Sequence, residues 1–193
     1  MRRRTFLTSL AATAGGSAAG IELTDRVRAA SGQIPELEFY STSSLVDYNY
    51  DPLTDDAVVP VWAEDTASND DADYDYDAFE YWDSRQIPLM AVDEGVVAFG
   101  STFVDDDALT GEYDNVQFLL NVWNAEVGSG TVLWDESNEQ YFTLEKFGEF
   151  EAAAEREGFS VVPTDNLYND LRDADAAVIT APGEYLTDGE LDG

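Results

Sequence analysis

Asp135, Glu136, Asn138 and Gln140 follow directly on the apolar run Thr131-Val132-Leu133-Trp134, and Thr180, Glu184 and Tyr185 follow a second such run, Ala176-Ala177-Val178-Ile179. Carboxylates and amides gathered at the ends of two buried strands have the chemistry to hold a hard cation such as magnesium or calcium, or to fix a small polar ligand. With a metal, Asp135 and Glu136 would suit a carboxylate-dependent, metal-assisted hydrolysis. The plainer alternative is that the same residues cap helices and solvate a loop, since acidic side chains occur throughout the chain. Asp135 stands out because a carboxylate placed directly after a buried strand costs desolvation unless something pairs with it. The chain has no cysteine and no histidine. Nucleophilic catalysis by a Cys–His pair is thereby excluded, and carboxylates alone are poor selectors of zinc. No cofactor motif is present, and no cofactor is expected.

Residues 65–83 are the densest acidic block, with Asp70, Asp71, Asp73, Asp75, Asp77, Glu80 and Asp83 interleaved with Tyr74, Tyr76, Phe79, Tyr81 and Trp82. The alternation invites a calcium loop, but the EF-hand pattern fails. A loop begun at Asp73 puts Ala78 where the turn glycine belongs and Ser84 where the bidentate glutamate belongs; one begun at Asp71 puts Tyr76 and Trp82 there. A solvated acidic loop is the better reading, with its aromatic residues open to a glycan or a protein partner. Trp123 and Trp134, set among apolar neighbours, are expected in the core or at its rim.

The elements that must position these groups can be read from periodicity. Residues 57–63 form one strand, with Pro60 marking an edge or a bulge, and 87–92 and 96–104 flank Asp93-Glu94-Gly95 as a hairpin. Asp114 or Asn115 caps a helix whose buried positions are Val116, Phe118, Leu119, Leu120, Val122 and Trp123, and Gly128-Ser129-Gly130 ends it. Residues 131–134 form a short buried strand. Thr143 is the expected N-cap of a helix through residue 157, with Leu144, Phe147, Phe150, Ala153 and Ala154 at helical spacing. A strand over 159–162, a short helix over 167–171 and a strand over 176–180 complete a βαβαβ run, which implies parallel pairing and right-handed crossovers. In an open sheet of this kind ligands bind beyond the carboxyl ends of the strands where strand order reverses, between the first and third strands of this run.

The chain carries 41 acidic and nine basic residues, a formal charge of −32. Such self-repulsion opposes compaction in dilute buffer and is screened in molar salt, where the Debye length falls to about 3 Å. The composition resembles that of proteins from extreme halophiles, and 44% hydrophobic with 12% aromatic content argues against wholesale disorder. Nucleic acid is not an expected partner, because little positive charge remains to neutralise phosphates. At the N-terminus, Arg3-Arg4-Thr5-Phe6-Leu7 and the small-residue run after it have the form of a twin-arginine export signal. Processing is expected near Ala18-Ala19 or, preferably, near Val27-Arg28-Ala29. The twin-arginine translocase would then be a partner during export. An extracellular or cell-surface location would follow, with no stable membrane span and no disulfide or lipidated cysteine.

The segments Gly130-Thr131-Val132-Leu133-Trp134-Asp135-Glu136 and Gln140-Tyr141-Phe142-Thr143-Leu144 resemble a haloarchaeal group of DUF4350-type domains, which are similar to class I glutamine amidotransferase-like (GATase1-like) α/β domains. Ala176-Ala177-Val178-Ile179-Thr180 and the "T-x-x-E-L" start at Thr187-Asp188-Gly189-Glu190-Leu191 fit the same pattern. The resemblance covers roughly half of the chain. It implies an α/β fold, a partial flavodoxin-like or GATase1-like three-layer sandwich with a mainly parallel sheet plus an upstream hairpin. Two departures matter. The family often carries a histidine where Asn138 stands, and it continues into a further glycine-rich strand, so the chain reads either as truncated, the favoured view, or as completed by the strands of residues 87–104. The implied organisation is a twin-arginine signal over 1–30, an acidic irregular segment with an edge strand over 31–86, and the GATase1-like domain over 87–193. Within that domain, residues 87–127 supply strands and a helix, and 131–193 form a βαβαβ half that is incomplete at its C-terminus. Amidotransferase activity is excluded by residue type. The favoured function is that of an exported, non-enzymatic binding or accessory domain acting on an unidentified protein or envelope partner, with Asp135, Glu136, Asn138, Gln140, Thr180 and Glu184 lining its site. The alternative is the metal-assisted hydrolase.

Overall fold

The computed structural model describes residues 37–39, 42–47, 49, 51, 53–55, 58–68, 87–93, 95–104 and 114–180, with the backbone of Thr5–Phe6. Arg3, Arg4, Glu184, Tyr185 and most of the acidic aromatic block of residues 65–83 lie outside them. The chain divides into two compact units, Met1–Phe103 with Tyr113–Asn115, and Val104–Glu112 with Val116–Gly193. Among the described residues no helix is long and apolar enough to cross a membrane.

The first unit is built on antiparallel pairing. Strand β1 (Thr5–Phe6) pairs with β2 (Leu37–Glu38). Strands β3 (Val61–Trp62), β4 (Pro88–Asp93) and β5 (Val96–Phe99) form a second sheet in the order β3-β4-β5. The run Pro88-Leu89-Met90 is wholly buried, so β4 takes the centre. Asp93 stands opposite Val96, and Gly95 supplies the positive φ of 87° that the tight turn between them requires. On β3 the register shifts between Val61 and Trp62, directly after Pro60, and the regular strand shrinks to two residues. Gly100 has no room for a side chain: the Ser43 amide donates to its carbonyl at 2.7 Å, and a Cβ there would overlap the Ser43 carbonyl oxygen. Asn115 completes this unit, its amide donating to the carbonyls of Glu38 and Phe103 at 2.7 Å each while its oxygen accepts from the Glu38 amide at 3.0 Å. Phe103 in turn stacks on Phe99, with ring centroids 4.5 Å apart.

The second unit is α/β. Helix α1 (Asn115–Glu126) buries Phe118, Leu120, Val122 and Trp123 and ends where Gly128 turns with a φ of 81°. Strands β6 (Gly130–Asp135), β7 (Phe159–Thr164) and β8 (Ala176–Val178) form a parallel sheet in the order β7-β6-β8. Between β6 and β7 runs a 3-10 turn, Leu144–Phe147, followed by α2 (Gly148–Arg156); between β7 and β8 lie α3 (Leu167–Asp170) and a second 3-10 turn, Leu171–Asp173. Trp134, opposite Pro163 in the register, packs on Phe147 and Phe150 at 5.0 and 6.1 Å, which sets α2 against that face of the sheet. Trp123 meets Phe150 and Phe159 edge-on at 5.2 and 5.4 Å, so both tryptophans are core residues. Thr164 points to the opposite face, where its hydroxyl bonds the Asp170 carboxylate of α3 at 2.6 Å. At the amino end of the sheet, Asp175 closes β8 onto β6. Its carboxylate accepts from the Thr131 amide at 2.8 Å and occupies the space where a side chain on Gly130 would lie.

Two expectations need correction. Residues 87–104 do not add to the parallel sheet; β4 and β5 pair with β3 in the first unit, because a strand buried as fully as β4 needs a neighbour along each edge. Residues 143–157 are not one helix capped by Thr143. That residue makes no side-chain capping bond, and the helix proper starts only at Gly148.

Candidate functional site

The order β7-β6-β8 puts the first strand of the βαβαβ run in the middle: the chain moves from β6 to β7 on one side and then crosses back over to β8 on the other, so the reversal of strand order falls between β6 and β8. At the carboxyl ends of those two strands the structure brings Asp135, Gln140 and Thr180 into one hydrogen-bonded chain. The Asp135 carboxylate is fully buried. Its Oδ1 accepts from the Ser137 amide at 3.0 Å and the Ser137 hydroxyl at 2.6 Å, and its Oδ2 accepts from Gln140 Nε2 at 2.9 Å. Gln140 Oε1 accepts from the Thr180 hydroxyl at 2.9 Å, which crosses from the β6 loop to the end of β8. Asn138 Nδ2 donates to Ser137 Oγ at 2.9 Å on the rim of the same cluster.

The loop is shaped by a tight turn. Gln140 donates its amide to the Ser137 carbonyl at 3.1 Å, and the two residues between them, Asn138 and Glu139, both lie in the left-handed region, with φ of 52° and 53°. Two positive φ values at the centre of a turn are the mirror-image, type I′ geometry that glycine and asparagine favour and glutamate does not. Each such non-glycine residue costs about 1–3 kcal/mol, a strain the bonds on Asp135 offset. The turn leaves Glu139 and Tyr141 exposed at its tip.

Glu136 serves a different purpose. Its amide extends the ladder by donating to the Thr164 carbonyl at 2.7 Å, and its Oε1 accepts from the Leu144 amide at 2.8 Å. The free N–H at the start of the 3-10 turn is therefore met by a carboxylate eight residues back in the chain rather than by Thr143, with a favourable charge for a helix N-terminus. The loop is also fastened from beneath, where the Trp134 indole donates to the Phe142 carbonyl at 2.9 Å.

This geometry separates the two carboxylates chemically. Asp135 accepts three donors and is shut off from solvent; Glu136 faces the Leu144 amide. Among the described residues no group of three or more Asp or Glu side chains converges as metal ligands. Of the six expected site residues, Asp135, Gln140 and Thr180 form the chain, Asn138 borders it, Glu136 stands apart and Glu184 lies outside the described residues. Ser137 is the member that sequence reasoning missed. Its signal was present: an aspartate followed two residues later by a serine is the spacing of a side chain that bonds the backbone of its own turn. The carboxyl end of β7 adds another polar group that sequence reasoning passed over, where Thr164 Oγ1 accepts from the Asn166 amide at 3.0 Å.

The fold and site thus define a mixed α/β protein whose parallel sheet ends in a braced polar loop at the point of strand reversal. Comparison with known proteins finds no matching family model, no matching curated protein and no matching solved structure.

Proposed function

We propose that the chain is an exported, non-enzymatic binding or accessory domain of a halophile, with a degenerate flavodoxin-like or GATase1-like three-layer architecture of the DUF4350 type. It would engage a partner or a small polar ligand through the loop of residues 136–142. The observation that carries this reading is the state of Asp135. Its carboxylate lies at the sheet's natural ligand position, yet every bond it makes holds the loop in shape. Such a residue presents neighbours rather than reacting, and Glu139 and Tyr141 at the exposed tip are what it presents. The arginine pair Arg3-Arg4 supplies the export step of this proposal, to the cell exterior or surface.

A thermal-shift screen of the full chain in molar salt, against polar small molecules, tests the binding role. A ligand that raises the melting temperature of the native chain is expected to lose that effect in Tyr141→Ala and Glu139→Ala, while no substrate is turned over. Hydrolysis of any ester, amide or phosphate that Asp135→Asn abolishes would overturn the proposal. Export is tested by Arg3→Lys with Arg4→Lys, which should keep the chain inside the producing cell.

A further inference from the structure

Asp135 is a buried carboxylate served by neutral donors: the Ser137 amide, the Ser137 hydroxyl and the Gln140 carboxamide. A buried charge is ordinarily matched by an opposite one, and here a carboxamide stands in that place. Ser137 gives its two bonds from within the turn, whereas the third donor is a side chain reaching back from farther along the loop. Gln140 Nε2 donates to Asp135 Oδ2 and Gln140 Oε1 accepts from the Thr180 hydroxyl, so this carboxamide fills the gap between the ends of β6 and β8. Its withdrawal leaves the loop fastened by other atoms. The Gln140 backbone amide stays on the Ser137 carbonyl, the Trp134 indole on the Phe142 carbonyl and the Lys146 ammonium on the Tyr141 carbonyl. Glu139 and Tyr141, the chain neighbours of Gln140, are both exposed, so solvent lies one residue away in either direction.

We propose that the Gln140 carboxamide is a built-in plug over a site for a small primary amine, whose ammonium group displaces it and pairs with Asp135. The ammonium donates to Oδ2, where Gln140 Nε2 donates in the closed state, and brings the positive charge that the carboxamide lacks. The Thr180 hydroxyl, released from Gln140 Oε1, keeps an acceptor in the Phe142 carbonyl 3.4 Å away. The space vacated is that of one carboxamide, which limits the ligand to a small head with N–H groups to donate and refuses a quaternary ammonium. Binding is non-covalent. The inference rests on the reading of this chain as a binding domain, but it uses Asp135 and the place of the Gln140 side chain rather than the tip formed by Glu139 and Tyr141, so either contact can fail while the other stands.

The test melts the full chain at constant molar chloride while part of the sodium is replaced by methylammonium or by tetramethylammonium. Gln140→Ala removes the plug and leaves Asp135 in place. Methylammonium should raise its melting temperature saturably and tetramethylammonium should not, and the effect should vanish when Asp135→Asn is added. The native chain must first give up its own carboxamide, so it should bind methylammonium about tenfold more weakly than Gln140→Ala does. Tyr141→Ala and Glu139→Ala, which remove the tip, should leave the methylammonium effect unchanged. A second readout needs no variant and covers a Gln140→Ala chain that fails to fold: in nitrogen-15 spectra of the native chain, methylammonium should shift the Gln140 side-chain amide pair saturably while the Trp134 indole N–H stays in place. Equal effects of the two organic cations on Gln140→Ala, a methylammonium effect that survives Asp135→Asn, or Gln140 side-chain signals that methylammonium leaves unmoved in the native chain would overturn the proposal.

Discussion

Replacing Asp135 by asparagine changes one atom in the braced loop and should unsettle all of it. In the native chain Oδ2 accepts from Gln140 Nε2, and Gln140 Oε1 is thereby turned toward the Thr180 hydroxyl. An asparagine amide in the Oδ2 position would confront the Gln140 amide, donor against donor. Relief requires Gln140 to flip, which turns its amide to Thr180 and leaves that hydroxyl only the more distant Phe142 carbonyl, 3.4 Å away. The two bonds from Ser137 survive on Oδ1 but lose their charge assistance. A charge-assisted bond is worth about 1.5–3 kcal/mol and a neutral one about 0.5–1.5, and the release of a buried carboxylate returns part of the loss. The net cost should be about 2 kcal/mol, a fall in melting temperature of about 8–15 °C for a unit of this size. The assay is thermal melting by circular dichroism in molar salt. Pairing Asp135→Asn with Gln140→Glu restores the donor–acceptor order, since the carboxylate introduced at position 140 accepts both from the side-chain amide introduced at position 135 and from the Thr180 hydroxyl, and should recover most of the loss. An Asp135→Asn melt equal to that of the native chain, or a double variant worse than the sum of its parts, would refute the role given to this network.

Four further outcomes are expected. Glu139→Gly relieves a left-handed residue and should raise stability by about 1 kcal/mol in urea titrations, whereas Glu139→Ala should not. Gly130→Ala meets both a φ of 133° and the Asp175 carboxylate, and should cost about 2–4 kcal/mol by the same measurement. The Asp47 carboxyl is held below its ordinary range mainly by the bond from the Asp51 amide, against an opposing desolvation and with lesser help from bonds to Asn49. A depressed folded value means that its contribution is complete above the unfolded pKa and is lost as pH falls through the folded one, so a carbon-13 titration should place it below the ordinary aspartate value and Asp47→Asn should flatten stability in that acid window. With 41 acidic residues against nine basic, the melting temperature should climb as salt is raised to molar levels, and a flat salt series would contradict the halophilic reading.

The second unit was the more legible part of the chain because its signals are local. The strands β6, β7 and β8 are apolar runs bounded by Gly130, Gly158 and the Asp173-Ala174-Asp175 turn, and the spacing of Phe147, Phe150 and Ala154 gave a buried helical face. What escaped depended on choices between distant residues. Nothing near residues 88–93 says that β4 must pair with Val61–Trp62 rather than with the parallel sheet. Nothing near Thr143 says that Glu136 will reach its helix first. The burial of Asp135 raised the demand for a partner, which the sequence made visible, but it took the turn with Asn138 and Glu139 in left-handed geometry to show that the partners are Ser137 and Gln140.

Lys146 is the sole lysine in the chain. Its ammonium donates to the Tyr141 carbonyl at 2.7 Å and lies 4.2 Å from the centre of the Tyr141 ring, beside the loop of residues 136–142. Apart from the chain terminus it is the single amine that an acylating dye can find. One labelling reaction would therefore set a fluorophore at the root of the loop without any engineered cysteine, and its brightness and rotational freedom would report directly on whether that loop is gripped or free.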